Sequence, residues 1–162
     1  MKAILELMAL LIKQHQELLQ LSSQKTEWIK TNNMEELTRL LKEESKKIRE
    51  IEQTETKRQQ AVANYLKEQG ENKEEATITE LLEYVPEKYH EPFRTLQQRL
   101  LEEMTALRKK ESLNRALIEE SLQFVHFTLD MIQPDPEAIR YQHPSKETTE
   151  TNDNFSIFDS KA

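Results

Sequence analysis

The chain has 162 residues, a single glycine, five prolines, no cysteine and 33% charged side chains. One glycine leaves no room for a phosphate-binding glycine loop, a dinucleotide fingerprint, a nucleophile elbow or a series of tight hairpins. The lack of cysteine excludes disulfides and thiol chemistry, and a net charge of -7 disfavours nucleic acid and anionic membrane surfaces.

Apolar residues make up 36% and the mean hydropathy is -0.83, below the roughly 45–50% apolar content of ordinary globular domains. Such a composition suits long helices that bury one face. No apolar run reaches the roughly 18 residues needed to span a bilayer. The first twelve residues, 1–12, resemble the front of a signal peptide. Glu6 interrupts them and no small-residue cleavage site follows, so they are expected to be the start of a soluble helix in a cytoplasmic protein.

The first helix is expected over 2–30. Ile4, Leu7, Leu11, Leu18, Leu21 and Trp28 follow a heptad spacing, with Gln14 and Lys25 in its polar gaps. A second row of Leu5, Met8, Ile12, Leu19 and Ile29 widens the stripe, as for a helix covered by two partners. Trp28 either packs at the turn or meets a partner. Thr31-Asn32-Asn33 breaks the pattern, and Asn33 before Glu35 and Glu36 reads as an N-cap. The second helix is expected over 33–69, with a thin row of Leu37, Leu41, Ile48, Ile51, Val62 and Tyr65. Glu44, Glu55 and Arg58 share that spacing, and Gly70 stands where a left-handed residue ends a helix.

Thr77-Ile78-Thr79-Glu80 has the form of a capping box opening a short helix over 77–85. Pro86 and Pro92 punctuate the chain before a third long helix, expected over 92–132. Residues 133–162 change character. Pro134, Pro136 and Pro144 bracket Tyr141, a polar stretch follows, and Phe155, Ile157 and Phe158 cluster near the end. This segment is expected to be a flexible tail, too poor in apolar residues to offset its own ordering entropy. The predicted fold is all-α: an elongated antiparallel bundle of three long helices with coiled-coil-like packing, one short extra helix and that tail. Residues 1–132 form its single helical domain.

The search for chemistry is brief. His15, His90, His126 and His143 are scattered, and Glu87-Lys88-Tyr89-His90 supplies only one copy of a di-metal motif that needs two. His126 and Asp130 lie one turn apart, a spacing as ordinary for a surface pair as for a dyad. Lys13-Gln14-His15-Gln16 lacks the small residue of a phosphotransfer site. No catalytic, metal or cofactor residue is assigned, and the chain is not expected to be an enzyme. What remains is surface. Leu122, Phe124, Val125, Phe127 and Leu129 make their helix apolar around most of its circumference. Either the short helix or the first helix covers that face, or it receives a partner helix.

Together these residues resemble the FlgN family of flagellar export chaperones over most of the chain. The likeness rests on Leu18-Leu19-Gln20-Leu21 with Lys25, on Thr31-Asn32-Asn33-Met34-Glu35-Glu36-Leu37, and on 52–58. It continues in Asn114-Arg115-Ala116-Leu117-Ile118-Glu119-Glu120-Ser121-Leu122, in Tyr141 and in Phe155-Ser156-Ile157-Phe158-Asp159. Gln142-His143-Pro144 stands where the family has a glycine-containing sequence. The resemblance implies a cytosolic chaperone that binds hook–filament junction proteins, prevents their premature assembly and delivers them to the cytoplasmic domain of the export gate. It implies cargo contacts at Leu117, Ile118, Leu122, Val125 and Leu129, and gate docking at Tyr141. A structural coiled-coil scaffold or dimeric adaptor is the alternative.

Overall fold

A computed structural model describes residues 1–71 and 76–132. Its regular elements are helices: α1 (Lys2–Lys30), α2 (Met34–Glu68), α3 (Ile78–Tyr84) and α4 (His90–Ile132), with one 3₁₀ turn at Glu87–Tyr89 before α4. Among the described residues there is no strand. The all-α class with long packed helices is thus as expected. The chain divides into two compact units, Met1–Phe124 and Val125–Ala162, and 125–132 is the described part of the second.

The helix ends follow from a few polar and glycine residues. At the end of α1, Asn32 adopts a φ of 52°, its N–H donates to Ile29 O and the Asn33 N–H donates to Trp28 O. This double bond pattern closes a helix with a left-handed residue, which Asn tolerates better than most side chains. Asn33 then caps α2 by accepting from the Glu36 N–H at 3.2 Å. The same closure ends α2 at Gly70, whose φ is 89°, with Gly70 N–H to Lys67 O and Glu71 N–H to Leu66 O. Thr77 and Glu80 form the expected capping box of α3. The Tyr65 hydroxyl donates to Tyr84 O at 2.9 Å, fastening the end of α3 to α2.

Within the first unit, α2 runs antiparallel to α1. α4 runs parallel to α1, because its partners rise with it: Gln16 bonds Glu103, Ser22 bonds Glu111, and Thr26 bonds Asn114. The apolar core lies where the start of α1, the end of α2, α3 and the start of α4 meet. It consists of Ile4, Met8, Val62, Leu66, Leu81, Val85 and Phe93.

Farther along, the buried positions turn polar. Ser22, Lys25 and Thr26 of α1, Glu44 of α2 and Asn114 of α4 are all buried. Lys25 Nζ donates to both Glu44 oxygens at 2.7 and 2.9 Å and to Glu111 Oε2 at 2.7 Å. Ser22 donates to the other Glu111 oxygen, Thr26 to Asn114 Oδ1, and Asn114 Nδ2 to Ser22 O and Oγ. A one-turn slip of any helix would leave several of these groups buried without partners, at about 1–3 kcal/mol each. The network therefore sets the register of three helices. Gln14 Oε1 is the one buried side-chain polar atom found without a hydrogen bond among the described residues.

The core row of α2 differs from the expected one. Leu40, Glu44, Thr54, Val62 and Leu66 are buried, whereas Leu41 and Ile48 are 46% and 45% exposed. The reason is electrostatic. Glu44, which shares the spacing of the expected row, turns inward to meet Lys25, and burial follows Leu40 and Glu44 rather than Leu41 and Ile48.

Lys25→Met strands Glu44 in the interior and is expected to cost about 3–5 kcal/mol in urea denaturation, with Glu44→Leu in the same chain recovering most of it. The Glu111 carboxyl is pushed up by burial, but hydrogen bonds from Lys25 and Ser22 outweigh this and hold it below 4.5. A depressed carboxylate stabilises the fold above its unfolded value and loses that contribution as pH falls through its folded value. Unfolding free energy should therefore drop below pH 4.5, and less steeply in Glu111→Gln, when the two are compared by urea melts across that window.

Candidate functional site

The first unit has its ends built differently. Asn114 is level with Thr26, and α1 stops at Lys30, only one turn later. Residues of α4 beyond that level lie past the end of α1, and most of their apolar side chains are exposed. Leu117 is half-buried, Ile118 is 41% exposed, Leu122 53% and Phe124 69%. Neither α1 nor α3 covers Leu122, since Leu81 of α3 and Val85 just after it pack into the core at the opposite end. The reading in which one of those helices buries this residue is thereby overturned. In the second unit Val125, Phe127 and Leu129 are exposed at 50%, 63% and 49%, and Met131 and Ile132 more so.

Ile118, Leu122, Val125 and Leu129 succeed one another at steps of four, three and four, which is one face of a helix. Phe124 and Phe127 are more exposed than any of these, yet the i, i+3, i+4 pattern passes them by. Their signal in the sequence was breadth: apolar residues on both sides of the stripe. Tyr141 lies outside the described residues.

Two of the histidines weighed for chemistry bond backbone carbonyls within their own region. A ring nitrogen of His90 bonds Val85 O at 2.8 Å, and His15 Nδ1 bonds Leu11 O at 2.7 Å. Arg58 grips Glu55 through two bonds of 2.7 and 2.8 Å, which holds the Glu55 carboxyl below its usual range. His15, Glu55 and Arg58 border a cavity of about 320 Å³ whose remaining walls are Leu11, Ile51, Ile78, Leu100 and Met104. Its polar groups already satisfy one another. Among the described residues no three His, Cys, Asp or Glu side chains gather as a metal site, and no helix is long and apolar enough to cross a membrane.

A helical scaffold held by a polar network, with bare apolar side chains along one helix, defines a protein-binding module. A family model described as FlgN protein matches residues 1–149, and the chain belongs to the FlgN family. That family consists of flagellar export chaperones, which bind flagellar proteins and are not enzymes. The chain is also 32% identical over 161 residues to a Bacillus subtilis (strain 168) protein described as uncharacterized protein YvyG, covering 99% of this chain and 98% of that one. No solved structure matches.

An exposed side chain makes no core contacts to lose. Val125→Asp should leave the helical circular dichroism unchanged and shift the unfolding free energy by no more than about 0.5 kcal/mol.

Proposed function

We propose that this protein is a cytosolic export chaperone for hook–filament junction proteins. It binds them through the α4 residues Leu117, Ile118, Leu122, Val125 and Leu129, prevents their early assembly and brings them to the cytoplasmic domain of the flagellar export gate. The observation that carries the reading is the exposure of Leu122, Val125 and Leu129 at about half their surface on one helical face of a chain from the FlgN family. A terminal helix of the cargo laid on that face would bury these side chains together with Phe124 and Phe127. Each side chain removed from water contributes about 1.5–3 kcal/mol before the ordering costs of association are subtracted.

The binding requires no reaction step. Shielding follows from geometry, because an apolar helix face covered by the chaperone is not available for assembly with its own kind. Release at the gate then needs only a competing surface or a pulling force. Tyr141, set between prolines in sequence, is the residue we assign to the gate contact. It lies beyond α4, so cargo and gate would be read by different parts of the chain.

Co-expression with each hook–filament junction protein tests the reading. A soluble complex is expected to co-purify with at least one of them. Val125→Asp should weaken that complex by at least about tenfold in a titration, the equivalent of burying a charge in an apolar interface. Tyr141→Ala should leave cargo affinity intact and abolish capture by the purified cytoplasmic domain of the gate. Failure to co-purify with any junction protein, in a chain that remains folded, would sink the proposal.

A further inference from the structure

The row of α2 that the polar network turns away from the core forms a second unpartnered surface, on a different helix from the cargo face. Met34, Leu41 and Ile48 recur every seven residues and are 61%, 46% and 45% exposed. Seven-residue spacing keeps three side chains in line along one side of a helix, here over about 21 Å. Beside this ridge, Lys42, Lys46 and Arg49 follow one another at steps of four and three, all exposed. Between the two rows lies a shallow open depression that Leu41, Ser45 and Arg49 help to line.

On α2 itself, Arg39, Lys47 and Arg58 form ion pairs. Lys42, Lys46 and Arg49 form none among the described residues, on a chain whose net charge is -7. Of their neighbours around the depression, Thr38, Ser45 and Gln53 are uncharged, and the one acid, Glu50, is paired with Lys47.

We propose that this face of α2 docks an acidic amphipathic helix of another protein, with apolar side chains on the Met34–Leu41–Ile48 ridge and carboxylates opposite Lys42, Lys46 and Arg49. An apolar seam flanked by like charges is the arrangement by which paired helices choose partners of opposite sign. Two copies of this chain paired through the same face would set the cations against one another. A lipid surface fits less well, because the face carries no Trp or Phe and the chain as a whole is acidic. The ridge lies on a different helix from the α4 face.

The probe is a three-heptad synthetic helix with leucine at the a and d positions and glutamate at e and g. A second peptide carries lysine in place of every glutamate, and both repel themselves enough to remain monomeric. Nonspecific attraction to an acidic protein would favour the lysine peptide. The proposal expects the reverse: full-length protein binds the glutamate peptide at least about tenfold more tightly, by fluorescence anisotropy at low salt. The triple variant K42E/K46E/R49E should lose that preference. K57E/R99E/K109E, with the same net charge, should retain it. Leu41→Ser with Ile48→Ser should weaken both peptides, and Val125→Asp should change neither.

Preference for the lysine peptide would overturn the assignment, as would equal loss in the two charge-reversed variants. So would tighter capture of vesicles containing anionic lipid, if K42E/K46E/R49E abolished it. A concentration-dependent dimer disrupted by Leu41→Ser would reassign the face to a second copy. Tighter binding by a synthetic peptide of residues 145–162 would reassign it to the chain's own terminus.

Discussion

The fold turns on an ammonium group held between two carboxylates inside a helical bundle. Lys25 is 7% exposed, and its three hydrogen bonds reach α2 and α4 at the same time. A buried charge is tolerated only when its partners are in place, so the three helices have one arrangement in which this lysine is satisfied. Ser22, Thr26 and Asn114 extend the same demand one turn either way. An apolar core of comparable volume would be as stable or more so, but it would admit sliding. For a binding protein, whose function depends on which side chains are left outside, register matters more than the last increment of stability.

That constraint has consequences at a distance. Drawing Glu44 inward rotates α2 so that Leu40 is buried and Leu41 and Ile48 face water. Pairing Asn114 with Thr26 sets α4 so that its turns continue past the last residues of α1, which exposes Leu122 and Phe124. The small apolar core around Phe93 holds the other end closed, with α3 stapled across it by the Tyr65 hydroxyl. Apolar residues are scarce in this chain. A closed end, a polar middle and exposed apolar side chains on α2 and α4 are how it distributes them.

Much of the fold was legible in the sequence because local signals were strong. The all-α class follows from one glycine and long apolar stripes. Asn33, Gly70 and the Thr77–Glu80 box act as the helix-end signals that their chemistry indicated. Gln14 and Lys25 fell on the core stripe of α1 and are in fact buried there. The apolar row of α2 was misassigned because counting apolar residues favours Leu41 and Ile48. Glu44 lay on that same spacing, but nothing local says that it is buried while Leu41 and Ile48 are not. Asn32 was read as part of a turn, while its left-handed conformation closing α1 became visible only with the backbone bonds.

The sequence by itself determined that this is a helical protein, and the order of its residues carried the family. Composition and heptad spacing suffice for that because they report what each helix must bury. Tertiary structure decided which faces are actually buried. Exposure of Leu122 depends on where α1 ends relative to Asn114, and exposure of Ile48 depends on a lysine nineteen positions from its carboxylate partner on the next helix. Periodicity describes one helix at a time, whereas the balance between burying a leucine and satisfying a buried charge is struck between helices.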